Sequence, residues 1–299
     1  MYTRQQIIKL CQRIRTKLER IYNYLVEPLY CTYYDKLPLC KLTGLNTNPR
    51  KEKIIVSLTS YPARYDTLYI CIKSLLRQSM KPDNIILSIY INEMDCIPQS
   101  VLELQKYGVT ILPVDENLKP HKKYYYVMQQ YPDAAVITVD DDLIYDKNLV
   151  KDLYKSYKKY PYAVSARRVH KIKKDPVTGL IKPYNDWGYE HKKIRTPSFA
   201  LLATGGAGAL YPPHLLPKET FNSAAIQKLC LNADDIWLKF MEQKAHVPVV
   251  WVPHFPVHPY TLQATTTQAL SKENCGNNQN DVYIRQLSEF YHINLADYC

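Results

Sequence analysis

Glycine is scarce in this 299-residue chain: there are 8, against 27 tyrosines. No Gly-x-Gly-x-x-Gly or Walker-type string occurs. Neither a Rossmann dinucleotide site nor a P-loop is therefore supported, because both use glycines to bring backbone N–H groups up to phosphate. The eight cysteines (Cys11, Cys31, Cys40, Cys71, Cys96, Cys230, Cys275, Cys299) stand singly, without CxxC spacing. That leaves no zinc-type cluster and fits reduced thiols in a cytoplasm. No apolar run approaches the roughly 20 residues of a spanning helix, so an integral membrane protein is not expected. Internal repeats and low-complexity tracts are lacking too.

What is present begins with charge. The formal net charge is +11, and residues 1–50 carry nine Lys/Arg against three Asp/Glu, so the basicity is chiefly N-terminal. From Gln5 to Val26, apolar Ile7, Ile8, Cys11, Ile14, Leu18, Ile21, Tyr22 and Leu25 recur at helical spacing, with Arg4, Lys9, Arg13, Arg15, Lys17 and Arg20 between them. Such a helix suits an anionic membrane surface or a docking face on the domain or a second subunit. The segment Tyr30 to Arg50 reads as a connector.

A regular alternation follows. Strands are expected at Ile54–Leu58, Ile85–Ile91, Val109–Val114 and Ala135–Val139, and helices at Asp66–Gln78, Gln99–Tyr107 and Lys122–Tyr131. Beyond them lie a helix at Lys147–Lys159 and a strand at Tyr162–Ser165. Alternation at this spacing predicts βαβ units and a mostly parallel α/β sheet. Arg167 to Phe199 lacks periodicity and reads as loops around a site, and Thr204 to Tyr211 holds three of the eight glycines. A helix at Asp234–Gln243, a strand at Val247–Val252 and a polar tail after Pro259 complete the pattern. The expected organisation is a basic helix and connector over 1–50, a catalytic domain over 51–260, and a tail over 261–299 that covers or flanks the site, with Asn277, Asn280 and Asp281 near it.

The most informative stretch is the apolar strand Ala135-Val136-Ile137-Thr138-Val139 running into Asp140-Asp141-Asp142. Open α/β sheets bind ligands at the C-terminal ends of their strands. Three adjacent acids repel one another, and a divalent cation is a natural neutraliser. Alternation along an extended chain would turn Asp140 and Asp142 the same way and Asp141 elsewhere. The plainer reading is a solvated turn or a cap.

In order along the chain come Thr59-Ser60-Tyr61-Pro62-Ala63-Arg64 after the first strand, the acidic triplet after the fourth, the glycine-rich stretch, and Asp234-Asp235-Ile236-Trp237 opening a helix. This order resembles glycosyltransferases of the GT-A fold, of the family 2 and exostosin-like types, over roughly residues 53 to 258. The resemblance implies a Rossmann-like nucleotide-binding sheet and a DxD motif. That motif holds Mn²⁺ or Mg²⁺ on the diphosphate of a nucleotide sugar, which suits stabilisation of charge developing on a leaving group.

By that resemblance Asp142 is the principal metal ligand, and Asp140 shares the metal or contacts the ribose. Asp141 lies behind them on the donor side, and a late histidine, His258 before His254, reaches the metal or diphosphate. Asp235 is the candidate catalytic base, with Asp234 and Trp237 toward the acceptor. Thr59, Tyr61, Arg64 and Asn92 or Glu93 would hold the nucleoside, Lys122 or Lys123 would assist the donor, and Thr204, Gly205 and Gly206 would line the sugar.

The implied activity is transfer of a hexosyl or N-acetylhexosaminyl group from a donor such as a UDP-sugar. The acceptor would be a hydroxyl of a glycan or lipid-linked molecule in surface polysaccharide or lipopolysaccharide synthesis. The protein would be cytoplasmic, peripheral on the inner membrane face through residues 4–26, and without a nucleic-acid partner. The Gln-x-x-Arg-Trp motif of processive synthases is missing, so single addition is expected. Three other readings have less support. A haloacid-dehalogenase-type phosphotransferase would need Thr where Ile144 stands. A nucleic-acid module has no fold signature here. An inactive glycan- or nucleotide-binding relative would not need both Asp142 and Asp235.

Overall fold

The computed structural model describes residues 21–22, 25–254, 259–262 and 276–299. Its centre is a seven-stranded sheet. Strand β1 (Ile54–Thr59) is followed by helix α1 (Tyr65–Leu75), β2 (Asn84–Tyr90), α2 (Gln99–Leu102), β3 (Val109–Val114), α3 (Lys122–Gln130) and β4 (Ala135–Thr138). Then come β5 (Leu143–Ile144), α4 (Leu149–Lys159), β6 (Val164–Ala166), β7 (Val169–Lys171), β8 (Leu201–Ala203) and β9 (Ala209–Tyr211). The chain continues through α5 (Ser223–Leu229), α6 (Asp234–Lys244), β10 (Val249–Trp251), β11 (Tyr260–Thr261) and α7 (Gln279–Tyr291).

The sheet order is β10-β6-β9-β4-β1-β2-β3. Pairs β1–β2, β2–β3, β1–β4 and β6–β10 are parallel, whereas β9 runs antiparallel to both β4 and β6. Strands β1, β2 and β4 are continuous apolar runs because both of their faces are covered. The chain leaves β1 to one side for β2 and β3, and returns on the other side as β4. The C-terminal ends of β1 and β4 therefore flank the reversal of strand order, where such sheets open a crevice.

Several elements differ from the sequence reading. The connector after Tyr30 is helical over 25–36, and Tyr34 and Leu37 enter the core beside α1. The helix expected over Gln99–Tyr107 is one α-turn followed by a 3-10 segment ending at Gly108, whose φ of 102° breaks it. β7, within the stretch read as loops, pairs antiparallel with β8 just beyond it; at three residues each they are too short to show a period. The polar tail contains α7, which buries Tyr283, Ile284 and Leu287 against the C-terminal half. Asp281 Oδ1 there accepts the Tyr184 N–H at 2.8 Å, tying α7 to the arm between β7 and β8.

Candidate active site

The acidic triplet leaves β4 in a turn, not in extended chain, so period-two alternation does not hold across it. Asp140 Oδ1 lies 2.8 Å from Lys123 Nζ, and Arg64 Nη1 lies 2.5 Å from Asp141 Oδ1 and 3.2 Å from Asp142 Oδ2. Asp141 is thus the innermost of the three. Arg64 itself comes from the turn after β1, where its guanidinium also lies over the Tyr61 ring at 5.3 Å.

Asp234 and Asp235 open α6 from the opposite side of the crevice. Lys123 Nζ reaches Asp234 Oδ2 at 2.8 Å, so one ammonium sits between Asp140 and Asp234. Asp235 Oδ1 accepts the Gly205 N–H at 2.8 Å. Between these acids runs the glycine turn. A Cβ on Gly206 would stand 2.7 Å from Asp140 Oδ2 and 2.6 Å from Arg168 Nη2, and one on Gly205 would stand 3.0 Å from Lys123 Nζ. The glycines are there because charged side chains need the space.

Five carboxylates (Asp140, Asp141, Asp142, Asp234, Asp235) thus meet three cations (Arg64, Lys123, Arg168). Their protonation is driven apart. Burial opposes ionisation of Asp140, yet Lys123, Arg168 and Arg64 hold its carboxyl below the usual range. Burial, then Asp140 and Asp141, push Asp142 up to about 6. Burial, then Asp234, push Asp235 up to about 7, against the pull of Lys123. Neighbouring carboxyls with separated pKa values in a crevice mark acid–base sites.

Two residues the sequence did not assign, Arg168 and Tyr145, and one it offered as an alternative complete the frame. Lys123, offered only beside Lys122, is the cation among the acids. Arg168 donates from Nε to Thr204 Oγ1 at 2.6 Å. Tyr145 accepts the Asp140 N–H at 2.9 Å and donates to the Gly206 carbonyl at 2.7 Å, joining the acidic turn to the glycine turn. A buried Tyr five residues past an acidic turn carries no sequence signal that would separate it from core.

Other predicted residues fall differently. Trp237 is fully buried, its Nε1 donating to the Thr220 carbonyl at 3.1 Å, so it cannot touch an acceptor. It lies two residues past Asp235, about 200° around a helix of 3.6 residues per turn, and so faces the core. Lys122 points to Glu93 at 3.7 Å, away from the carboxylate cluster. Asn92 is exposed, with its amide on the Tyr90 hydroxyl, and Thr59 donates to the Ser88 carbonyl. His254 lies against the Val252 carbonyl at 3.1 Å. His258 lies outside the described residues.

A mostly parallel sheet with an acidic turn at its switch point and a second acidic pair across a glycine turn defines a GT-A glycosyltransferase. The model of glycosyl transferase family 2 matches residues 55–213, more than half of the chain, and the chain belongs to that family. The match ends before Asp234, so the second acidic pair stands on geometry alone. Solved structures similar to it include mannosyltransferase PcManGT from Pyrobaculum calidifontis in complex with GDP-Man and Mn²⁺. It is 11% identical over 92% of this chain and 74% of that one, at a TM-score of 0.47. CMP:2-keto-3-deoxy-manno-octonic acid synthetase complexed with CTP is 10% identical, over 68% and 89%, at a TM-score of 0.38. No curated protein matches the chain.

Proposed function

We propose that the chain transfers one hexosyl or N-acetylhexosaminyl unit from a nucleoside-diphosphate sugar, a UDP-sugar for choice, to a hydroxyl of a glycan or lipid-linked acceptor in surface polysaccharide or lipopolysaccharide synthesis. The observation that carries this reading is the convergence of Asp140–Asp142 and Asp235 on one glycine turn, with more carboxylates than cations.

That surplus fits a divalent cation, Mn²⁺ or Mg²⁺. Among the described residues no three metal-binding side chains form a ready-made centre. The arrangement suits an ion held by one or two carboxylates, with diphosphate oxygens and water filling its other positions. Asp142 and Asp140 would hold it, and when bound it supplies charge stabilisation to the leaving diphosphate. Arg64 and Lys123 keep the acidic turn in place, and Tyr61 and Arg64 offer a stacking and cationic wall to the nucleoside.

Asp235 takes the proton from the acceptor hydroxyl. A base with a pKa of about 7 suits proton removal near neutral pH, so transfer rises with pH up to that region. Membrane association through residues 4–26 fits the same acceptor class. Of that segment, Ile21, Tyr22, Leu25 and Val26 are described; the first three are exposed, and Val26 packs against the core. A thermal-shift panel of UDP, GDP, CMP, dTDP and ADP, each with and without Mn²⁺, tests the reading, because a ligand of the native state raises its stability. One diphosphate should stabilise the protein only with metal. Stabilisation by none of them would turn the site into that of an inactive relative.

A further inference from the structure

We infer that the turn at the far end of the arm between β7 and β8 is a membrane-contacting tip that enters the surface of an anionic lipid bilayer. Its residues are distinct from 4–26 and from those of the carboxylate crevice. The inference stands on its own observations and does not depend on the sugar-transfer reading.

Beyond β7 the chain makes an inner hairpin, with a bridge between Lys174 and Ile181, and turns over Pro176-Val177-Thr178-Gly179-Leu180. The turn is held by its own backbone. Asp175 donates its N–H to the Leu180 carbonyl at 2.7 Å, Gly179 donates to the Asp175 carbonyl at 2.9 Å, and Asp175 Oδ1 accepts the N–H groups of Val177 and Thr178 at 2.9 and 3.0 Å. Gly179, at φ 70°, allows the reversal.

This well-bonded turn presents Val177 at 90% exposure and Leu180 at 68%, the two most exposed large apolar side chains among the described residues. Turn tips ordinarily carry polar residues. Scattered exposed apolar side chains are ordinary, but these two share one five-residue turn and are rimmed by cations. Lys173 and Lys174 are exposed on one side and Lys182 lies on the other, with Asp175 the sole acid between.

Charge points the same way. Residues 168–203 hold eight Lys/Arg against three Asp/Glu, a net +5, which equals the whole surplus of the chain beyond residue 50. His191, at the base of the arm, has its pKa lowered by burial first and then by Lys171, Lys193 and Lys173 together.

An apolar tip with a lysine rim matches a bilayer interface: apolar side chains enter the headgroup region while ammonium groups stay with lipid phosphates. Two apolar side chains are too small a patch for a stable protein partner, which buries about 800 Å² on each side. No helix among the described residues can cross a membrane, so contact here would be peripheral. Val177 is nine positions beyond Arg168, and at about 3.3 Å per residue the tip lies no more than about 30 Å from that residue.

The test uses the full chain with vesicles of phosphatidylcholine and phosphatidylglycerol in equal parts, and with phosphatidylcholine alone. Val177→Trp should show a blue-shifted emission difference with the anionic vesicles only. The double variant Val177→Asp/Leu180→Asp should lower partition about tenfold. Lys173→Gln/Lys174→Gln should lower it about fivefold or more at low salt, with the difference lost at high salt. No emission shift, or unchanged partition of the aspartate variant, overturns the inference even if the N-terminal segment binds vesicles. Equal binding to both vesicle types overturns it as well.

Discussion

Arg167 and Arg168 follow one another at the end of β6 and belong to two clusters of different character. Arg167 is buried, and its guanidinium meets Asp146 and, at 2.8 Å, Asp152, so the cation sits between the acids it holds. Asp146 precedes α4 and Asp152 lies in its first turn, and the pair fastens that helix to the sheet. Arg168 faces the crevice, where Arg64 and Lys123 also lie among the acids but do not offset them all: burial, then Asp140 and Asp141, push Asp142 up, and burial, then Asp234, push Asp235 up. Charges that serve the fold are placed to cancel locally. Charges that serve a ligand are left partly uncancelled until it arrives.

The largest effect expected is on chemistry. Asp235→Asn should lower transfer about 10³-fold while nucleotide binding, read by thermal shift, survives; full transfer by this variant would remove Asp235 from the role of base. Next, Asp142→Ala should abolish the metal-requiring part of the nucleotide-induced shift. A shift that persists would place the cation elsewhere.

The two arginines separate more mildly. Arg167→Ala should cost about 2 kcal/mol, since it removes a buried cation and leaves two half-buried acids without it, and a urea titration measures it. Arg168→Ala should cost less, about 1 kcal/mol for its lost hydrogen bond to Thr204, yet weaken transfer. If the two variants exchange phenotypes, the contrast drawn between the clusters fails.

The smallest effect is on stability against pH. Asp235 rises from an ordinary 3.8 to about 7 on folding, and Glu242, buried beside Lys239, from 4.5 to about 7. The folded state binds the extra protons, so this contribution is fully present below about pH 4 and is lost as pH rises through about 7. Asp235→Asn should flatten the slope between those limits and raise the melting temperature at pH 8. A variant whose slope stays unchanged would show that folding does not move the Asp235 pKa.

Strands β1, β2 and β4 were legible because each is a short apolar run buried on both faces, and β3, a partly exposed edge strand, from its place in the alternation; their ends moved by at most a residue. The acidic motifs were legible because carboxylates at strand and helix ends are chemically conspicuous. The β7–β8 arm was not, since its strands are too short for periodicity and its contacts are with α7, about a hundred positions away. Trp237 was misread because adjacency in sequence was taken for adjacency in space.

By itself the sequence determined an α/β sheet with acids at the ends of β4 and at the start of α6, since hydrophobic runs must be buried and their polar ends must emerge. Only the tertiary structure decided which neighbour does what. Successive helical residues point about 100° apart, so Lys123 faces the acids while Lys122 turns to Glu93. Whether a cation lies between two acids or two acids lie against each other depends on how distant segments pack, and local sequence does not encode that.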